Sequence, residues 1–219
     1  MNRKADTEKA MSYPRYALIS VSDKTGIENL ARALCDFGFD ILSTGGTAEA
    51  LVAAGIPVTE TSEFTEFPEV LDGLVKSLHP RVYSGILARE TPKHFDALLE
   101  IGSAYIDIVI CNLFPLQKVA TSPSVPLHEL MDQIDVGGPG LLKAAAKNFE
   151  RVSVICDTDK YEELLWYLAS KGEVPYEVRF EWAKRAFEHV TTYDSMIYAT
   201  LLEYDLSTGH KVTGVPCRY

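Results

Sequence analysis

Long apolar runs are missing from this chain. None approaches the roughly 18 residues that cross a bilayer, so no membrane partner is expected. Basic residues are scarce as well: 21 Lys and Arg stand against 31 Asp and Glu, a formal net charge of −10. No basic stripe of the kind that grips a nucleic-acid backbone is visible, so nucleic acid is not expected as a partner either. A small anionic ligand in a locally basic pocket remains compatible with the charge. Cys35, Cys111, Cys156 and Cys217 are scattered without a C-x-x-C pair, which suits free thiols of a reducing cytoplasm better than a disulfide framework. Zinc-ligand spacing, a Walker lysine, a G-x-S-x-G elbow and a full dinucleotide fingerprint are all absent. Neither a metal nor a cofactor is therefore expected. The polar first residues carry no apolar signal core, and no internal repeat or low-complexity segment occurs.

What remains is an ordinary globular composition over 219 residues, 47% apolar and 24% charged, enough for one large domain with a substantial core. The expected division is a tail over 1–13, an α/β domain over 14–160, a helical extension over 161–205 and a tail over 206–219. Tyr16 to Val21 reads as a buried strand. Ile27, Leu30, Ala31 and Leu34 then recur at helical spacing, with Gly38 as the stop. Phe39 to Leu42 gives a second strand, Thr44 to about Gly55 a helix, and Ile56 to Thr59 a third strand. Alternation of this kind implies a mainly parallel sheet covered by helices. Residues 60–89 are irregular and rich in turn signals. Lys93 to Ile101 reads as helix, Asp107 to Asn112 as a strand covered on both faces, and Leu127 to Gln133 as a short helix. Val152 to Cys156 follows as a strand and Asp159 to Ala169 as a helix. From Tyr176 to about Tyr204 the pattern is helical, allowing one break. There Phe180, Ala183, Phe187, Val190, Met196 and Ile197 offer an apolar face for a core or a subunit interface.

The loops carry the chemistry. Ser22-Asp23-Lys24 and Ser43-Thr44-Gly45-Gly46-Thr47 each follow a strand and precede a helix. Hydroxyls, glycine N–H groups, a lysine and a helix N-terminus are what a phosphate monoester needs. Simple capping by Ser43 and Thr47, with Lys24 as a solvated lysine, is the plainer alternative. Lys76-Ser77-Leu78-His79-Pro80 adds two more ionisable groups at a proline-fixed turn, and Lys76 ranks above His79. Asn112, ending a buried strand, can donate and accept at once, as reading a carboxamide requires; the alternative is a turn-forming Asn ahead of Pro115. Finally, Asp135-Val136-Gly137-Gly138-Pro139-Gly140 leads into a helix whose Lys143 and Lys147 share one face. Together these residues suit metal-free acid–base work on a phosphorylated small molecule.

These stretches closely resemble the IMP cyclohydrolase domain of the PurH-type bifunctional purine-biosynthesis enzymes. SVSDKTG (20–26), STGGT (43–47), FPEVLDGLVKSLHP (67–80), GILAR (85–89), CNLFP (111–115), QIDVGGPGLLKAAAKN (133–148) and AFEHVTTYD (186–194) occur in that family's order. The resemblance implies a three-layer methylglyoxal-synthase-like α/β fold and a homodimer. It implies closure of 5-formamidoimidazole-4-carboxamide ribotide (FAICAR) to IMP with loss of water, with no cofactor. It places Lys147 as principal acid–base group with Asp135 beside it, Lys143 as a cationic neighbour, and Lys76 at the developing oxyanion. Ser22, Asp23, Lys24, Thr44, Gly45, Gly46 and Thr47 would bind the nucleotide, chiefly at its phosphate. Ser77, Cys111, Asn112, Val136, Gly137 and Gly138 would complete the pocket. Two positions depart from the family: Leu74 stands where Arg is usual, and Phe114 where Tyr is usual. The chain also ends at Tyr219, so the formylated substrate is expected from a separate formyltransferase. The competing reading is a non-catalytic nucleotide-binding regulatory module of the same fold. Methylglyoxal synthase itself is disfavoured, because its aspartate-centred motifs are not seen.

Overall fold

A computed structural model describes residues 14–122 and 124–212; the expected tail over 1–13 and Cys217 lie outside them. The backbone forms a five-stranded sheet in the order β3-β2-β1-β4-β5, every pairing parallel. Its strands are β1 Tyr16–Val21, β2 Asp40–Ser43, β3 Thr59–Glu60, β4 Ile106–Asn112 and β5 Ser153–Ile155. Ala17, Leu18, Ile19 and Val21 of β1, and Ile108, Val109, Ile110 and Cys111 of β4, are buried. These near-continuous apolar runs are what a parallel sheet covered on both faces demands.

The helices are α1 Ile27–Asp36, α2 Gly45–Ala53, α3 Thr61–Thr65, α4 Pro80–Leu87, α5 Pro92–Glu100, α6 Gln117–Ala120, α7 Leu127–Asp132, α8 Gly137–Lys147, α9 Tyr161–Lys171 and α10 Tyr176–Leu201. They complete a three-layer α/β arrangement in which α9 packs on α1, while α4 and α10 pack on α8. The buried face of α1 consists of Ile27, Leu30, Ala31 and Leu34, the set given by its spacing.

Three expectations change. The third strand shrinks to Thr59–Glu60, because Pro57 has no N–H to give a ladder at this sheet edge; Ile56 instead packs in the core. The irregular 60–89 stretch contains α3 and α4. Pro80 opens α4, and His79 caps it, its Nδ1 accepting from Arg81 N at 3.2 Å. Helix α10 runs unbroken. It contains no Gly or Pro, and Thr191 Oγ1 returns to the Phe187 carbonyl at 2.8 Å without interrupting it.

Helix α10 lies against α8 and β5, burying Trp182, Ala183, Ala186, Val190 and Tyr193. Phe180 and Phe187, on the expected apolar face, stay 44% and 46% exposed. Tyr204–Asp205 and His210–Lys211 pair as a small antiparallel hairpin, β6 and β7. Among the described residues no helix is long and apolar enough to cross a membrane, and Cys35, Cys111 and Cys156 are free thiols.

Candidate functional site

From β1 the chain steps outward to β2 and β3, then returns to the other flank of β1 as β4. Open α/β sheets bind ligands beyond the carboxyl ends of the strands, at such a reversal. Val21 and Asn112, the last residues of β1 and β4, are register partners there.

Asn112 bridges the reversal. Its Oδ1 accepts from Ser22 N at 2.7 Å and Asp23 N at 2.9 Å, and its Nδ2 donates to Asp23 O at 3.2 Å. The amide expected to read a carboxamide thus holds the Ser22–Asp23 loop. At the end of β4 the nearest unpaired polar groups are the N–H groups that β1 leaves behind, and satisfying them takes precedence. The Asp23 carboxylate turns back to accept from Thr25 N at 2.9 Å. Bonds from the Thr25 hydroxyl and N–H hold it below the usual carboxylate range.

The second wall is the start of α2. Gly45 has φ +52°, and a Cβ on it would fall 2.8 Å from Lys76 Nζ. One on Gly46 would fall 3.9 Å from Lys24 Nζ. Two ammonium groups therefore stand near the two glycines whose N–H groups open a helix, an arrangement that favours an anion by both charge and dipole. Glu69 occupies part of this site: its Oε2 lies 3.3 Å from Lys76 Nζ, and its Oε1 accepts from Thr44 Oγ1 at 2.9 Å. The hydroxyls of Ser43 and Thr47 point away from the cleft. Ser43 Oγ donates to Ile19 O at 2.7 Å, while Thr47 Oγ1 donates to Val21 O and accepts from Val21 N. Both are buried, tying β2 and α2 to β1. Neither caps the helix, and Thr47 offers the cleft only its backbone N–H.

The third wall is α8. Asp135 Oδ1 accepts from Gly138 N at 2.9 Å, and Asp135 N donates to the hydroxyl of Tyr193 on α10 at 2.8 Å. The carboxylate expected beside the chemistry is thereby fixed at the helix start, where negative charge is favoured. Ser77 Oγ lies 3.3 Å from where a Gly137 Cβ would sit, linking the Lys76 turn to α8. Val136 is exposed beside it. Cys111 is buried with Sγ 3.9 Å from Gly138 O, and burial pushes its thiol up, so its side chain forms floor rather than a ligand contact. The hydroxyl of Tyr83 occupies the space that a Cβ on Gly140 would take. Burial, with Cys111 and Asp135 nearby, raises its pKa.

A Cβ on Gly138 would come within 2.5 Å of Asp135 Oδ2 and 2.6 Å of Leu113 Cδ2. Gly138→Ala is accordingly expected to displace the Asp135 carboxylate and cost about 1–3 kcal/mol. Urea denaturation checks this; a loss below about 0.5 kcal/mol would show that the helix start relaxes freely.

Lys143 and Lys147 stand apart from these walls. Both are exposed, and Lys143 pairs with Asp194 of α10 at 3.4 Å. Lys147 is the last residue of α8. At 1.5 Å per residue, Gly137 and Lys147 are about 15 Å apart along the axis. Within one chain, then, Asp135 and Lys147 sit at opposite ends of the helix, and the expected pairing of these two groups is not made. Glu69, Tyr83 and Tyr193 are the site residues that sequence reasoning did not single out. Glu69 and Tyr193 lie within motifs quoted above, but nothing in their spacing gives a role.

Comparison with known proteins gives consistent matches. A family model described as the MGS-like domain matches residues 26–140, and one described as the AICARFT/IMPCHase bienzyme matches residues 145–216. The chain is 47% identical over 183 residues to the bifunctional purine biosynthesis protein PurH of Desulfitobacterium hafniense, covering 84% of this chain and 35% of that protein. It is 46% identical over 182 residues to PurH of Listeria monocytogenes, covering 83% and 36%. For PurH of a Cyanothece species the figures are 44% over 195 residues, 88% and 38%. The chain thus spans little more than a third of these relatives' length. Among solved structures, the crystal structure of ForH superposes with a TM-score of 0.77 at 35% identity, covering 86% of this chain and 100% of that one.

Proposed function

The chain belongs to the MGS-like domain family, on its PurH side, and from that premise we propose that it is an IMP cyclohydrolase of purine biosynthesis. It would close FAICAR to IMP with loss of water. The observation that carries this reading is the convergence of Lys24 and Lys76 on the Gly45–Gly46 helix start, beside the capped Asp135 turn. The substrate's phosphate would settle on the α2 N-terminus and displace Glu69 from Lys76. The imidazole would then extend toward Ser77 and Asp135.

The reaction needs one N–C bond formed and one water lost. The carboxamide nitrogen adds to the formyl carbon and gives up one proton to a base, the formyl oxygen is protonated and leaves as water, and the formamido nitrogen gives up its proton as the ring C=N bond forms. Both reacting groups are on one molecule, so holding them in attack geometry supplies part of the rate. Lys76, released from Glu69, would turn to the oxyanion at the other end of the substrate, leaving Lys24 and the α2 N-terminus on the phosphate. Asp135 would serve proton transfer together with a lysine. Because Lys147 of the same chain is remote, we assign that role to Lys147 of a second copy, in a homodimer whose α8 helices bring opposite ends together. The formylated substrate must come from a formyl-transfer reaction, which we assign to a separate active site.

The test is to incubate the purified protein with FAICAR and follow IMP by absorbance. Turnover is expected; tight binding of IMP with no turnover would replace this reading by the non-catalytic nucleotide module. Leu74 is 74% exposed at the tip of the turn preceding Lys76. Leu74→Arg would add a cation at the rim, and Phe114→Tyr would add a hydroxyl to the pocket. Together they are expected to tighten IMP binding by up to about fivefold, as for a partly screened charge. Calorimetric titration decides this, and unchanged affinity would mean that neither position faces the nucleotide.

A further inference from the structure

One strand over from the cleft, β5 ends at Ile155 and the chain turns out through Cys156 and Asp157. Ile155 is register partner of Ile110, so Cys156 emerges beside Cys111 and behind the floor of the cleft. Helix α10 passes over this turn and brings His189 to it. One ligand atom from each of Cys156, Asp157 and His189 lies within 4.8 Å of the others. Cys156 Sγ and Asp157 Oδ2 are 3.7 Å apart. Nε2 of His189 is buried and has no hydrogen-bond partner. Such an atom is costly to bury unless something occupies its lone pair or takes its proton. A cavity of about 400 Å³ opens at the same place, lined by Cys156, Asp157, Trp182 and Arg185 among others.

We propose that Cys156, Asp157 and His189 form a three-ligand site for a divalent transition ion of the zinc class, with a fourth position for water or a small ligand admitted from the cavity. A mixed sulfur, nitrogen and oxygen donor set suits a borderline ion and disfavours calcium or magnesium, which take oxygen. Donors bound at about 2.0–2.3 Å in tetrahedral geometry lie roughly 3.3–3.8 Å apart. The Cys156–Asp157 pair already meets this, and His189 needs only a small approach. The donors stand at a strand end and on a 26-residue helix packed against it, which limits how far they can drift. Arg185 is the competitor. Its Nε donates to Asp157 Oδ2 at 2.9 Å, while its Nη1 is already on Glu188 at 2.8 Å. An ion claiming Asp157 therefore leaves Arg185 with a partner.

The inference does not depend on the cyclohydrolase reading, and neither does its test. Metal-stripped protein is titrated with Zn²⁺ against a chromophoric chelator, and with Co²⁺ by absorbance. One equivalent per chain and a thiolate-to-cobalt charge-transfer band are expected. Cys156→Ser should remove that band, and His189→Gln should weaken zinc binding at least tenfold. Arg185→Gln, at an exposed position, should tighten binding, and it keeps the site testable if the Cys156 and His189 variants misfold. No stoichiometric binding by the wild type at micromolar zinc, or wild-type affinity in the Cys156 and His189 variants, overturns the proposal. Zinc affinity unchanged or lowered by Arg185→Gln would remove Asp157 from the ligand set and with it the three-ligand site.

Discussion

Lys147→Ala is expected to lower turnover by about 10²–10⁴-fold, the usual worth of a positioned acid–base group, while nucleotide binding stays within a few-fold. Asp135→Asn should do the same. Mixing the two inactive variants under conditions of subunit exchange should then restore about a quarter of wild-type activity. In a two-fold dimer half of the exchanged species are mixed, and each holds one intact site of two. The expectation comes from α8 alone. Asp135 caps its first turn through Gly138 N, and Lys147 is its last residue. A helix about 15 Å long sets Asp135 and Lys147 at opposite ends, so the lysine is expected to act on a neighbour's substrate. Stopped assays of IMP formation on the single variants and the mixture test this. No recovery on mixing would remove the shared site, and full turnover by Lys147→Ala would remove the lysine from the chemistry.

Arg151→Ala is expected to cost about 3–5 kcal/mol of stability, the range for breaking a buried, hydrogen-bonded ion pair. The Arg151 side chain is only 7% exposed. Its Nε donates to Ala88 O at 2.9 Å, and its Nη2 to Gly85 O, Ile86 O and Ile106 O at 2.6, 3.0 and 3.1 Å. Its Nη1 pairs with Asp107, which also takes Arg15 Nε at 2.6 Å. The guanidinium stands 4.8 Å from the Tyr105 ring centroid as well. One side chain thus closes the C-terminal end of α4 onto the start of β4. Alanine would take a donor from each of these four carbonyls, leaving Ile86 O and Ala88 O with Asn148 Nδ2 at 2.7 and 3.0 Å. Arg151→Lys should recover little, since one ammonium cannot reproduce a planar fork. Urea unfolding followed by circular dichroism measures both variants; a loss under 1 kcal/mol for Arg151→Ala would mean that water replaces the guanidinium.

The sheet and most helices were legible because their buried faces repeat at fixed periods. Tyr16–Val21, the apolar face of α1 and the β4 run leave little choice. Local chemistry that works through a missing atom was harder: Pro57 cuts β3 short although the segment's hydrophobicity argues for strand. In the cleft, the nearness of Lys24 and Lys76 to the Gly45–Gly46 helix start was legible, because each follows a strand end or turn on the same edge of the sheet. For Asn112, Thr47 and Ser43 the direction of the side chain was not legible. A polar residue at a strand end looks the same in sequence whether it faces a ligand or a neighbour's backbone. The Asp135–Lys147 separation was already present in the spacing, since the eleven-residue helix between them cannot fold back on itself. Tyr193 meets Asp135, and His189 meets Cys156 and Asp157, only through the packing of α10 on α8 and β5, which no local pattern encodes.

The order β3-β2-β1-β4-β5 also sets a timetable for synthesis. β1 lies mid-sheet, but one of its flanks is covered by a strand that begins only at Ile106, aligned with Tyr16. As the chain leaves the ribosome, α1 and β2 can dock early, while the second edge of β1 waits for some 90 further residues. Contacts of such long range are the slow ones in folding. Until they form, the Ala17–Val21 edge is a bare apolar template for any other unfinished strand. The nascent protein is therefore most vulnerable to aggregation in a defined interval, after β3 has emerged and before β4 arrives.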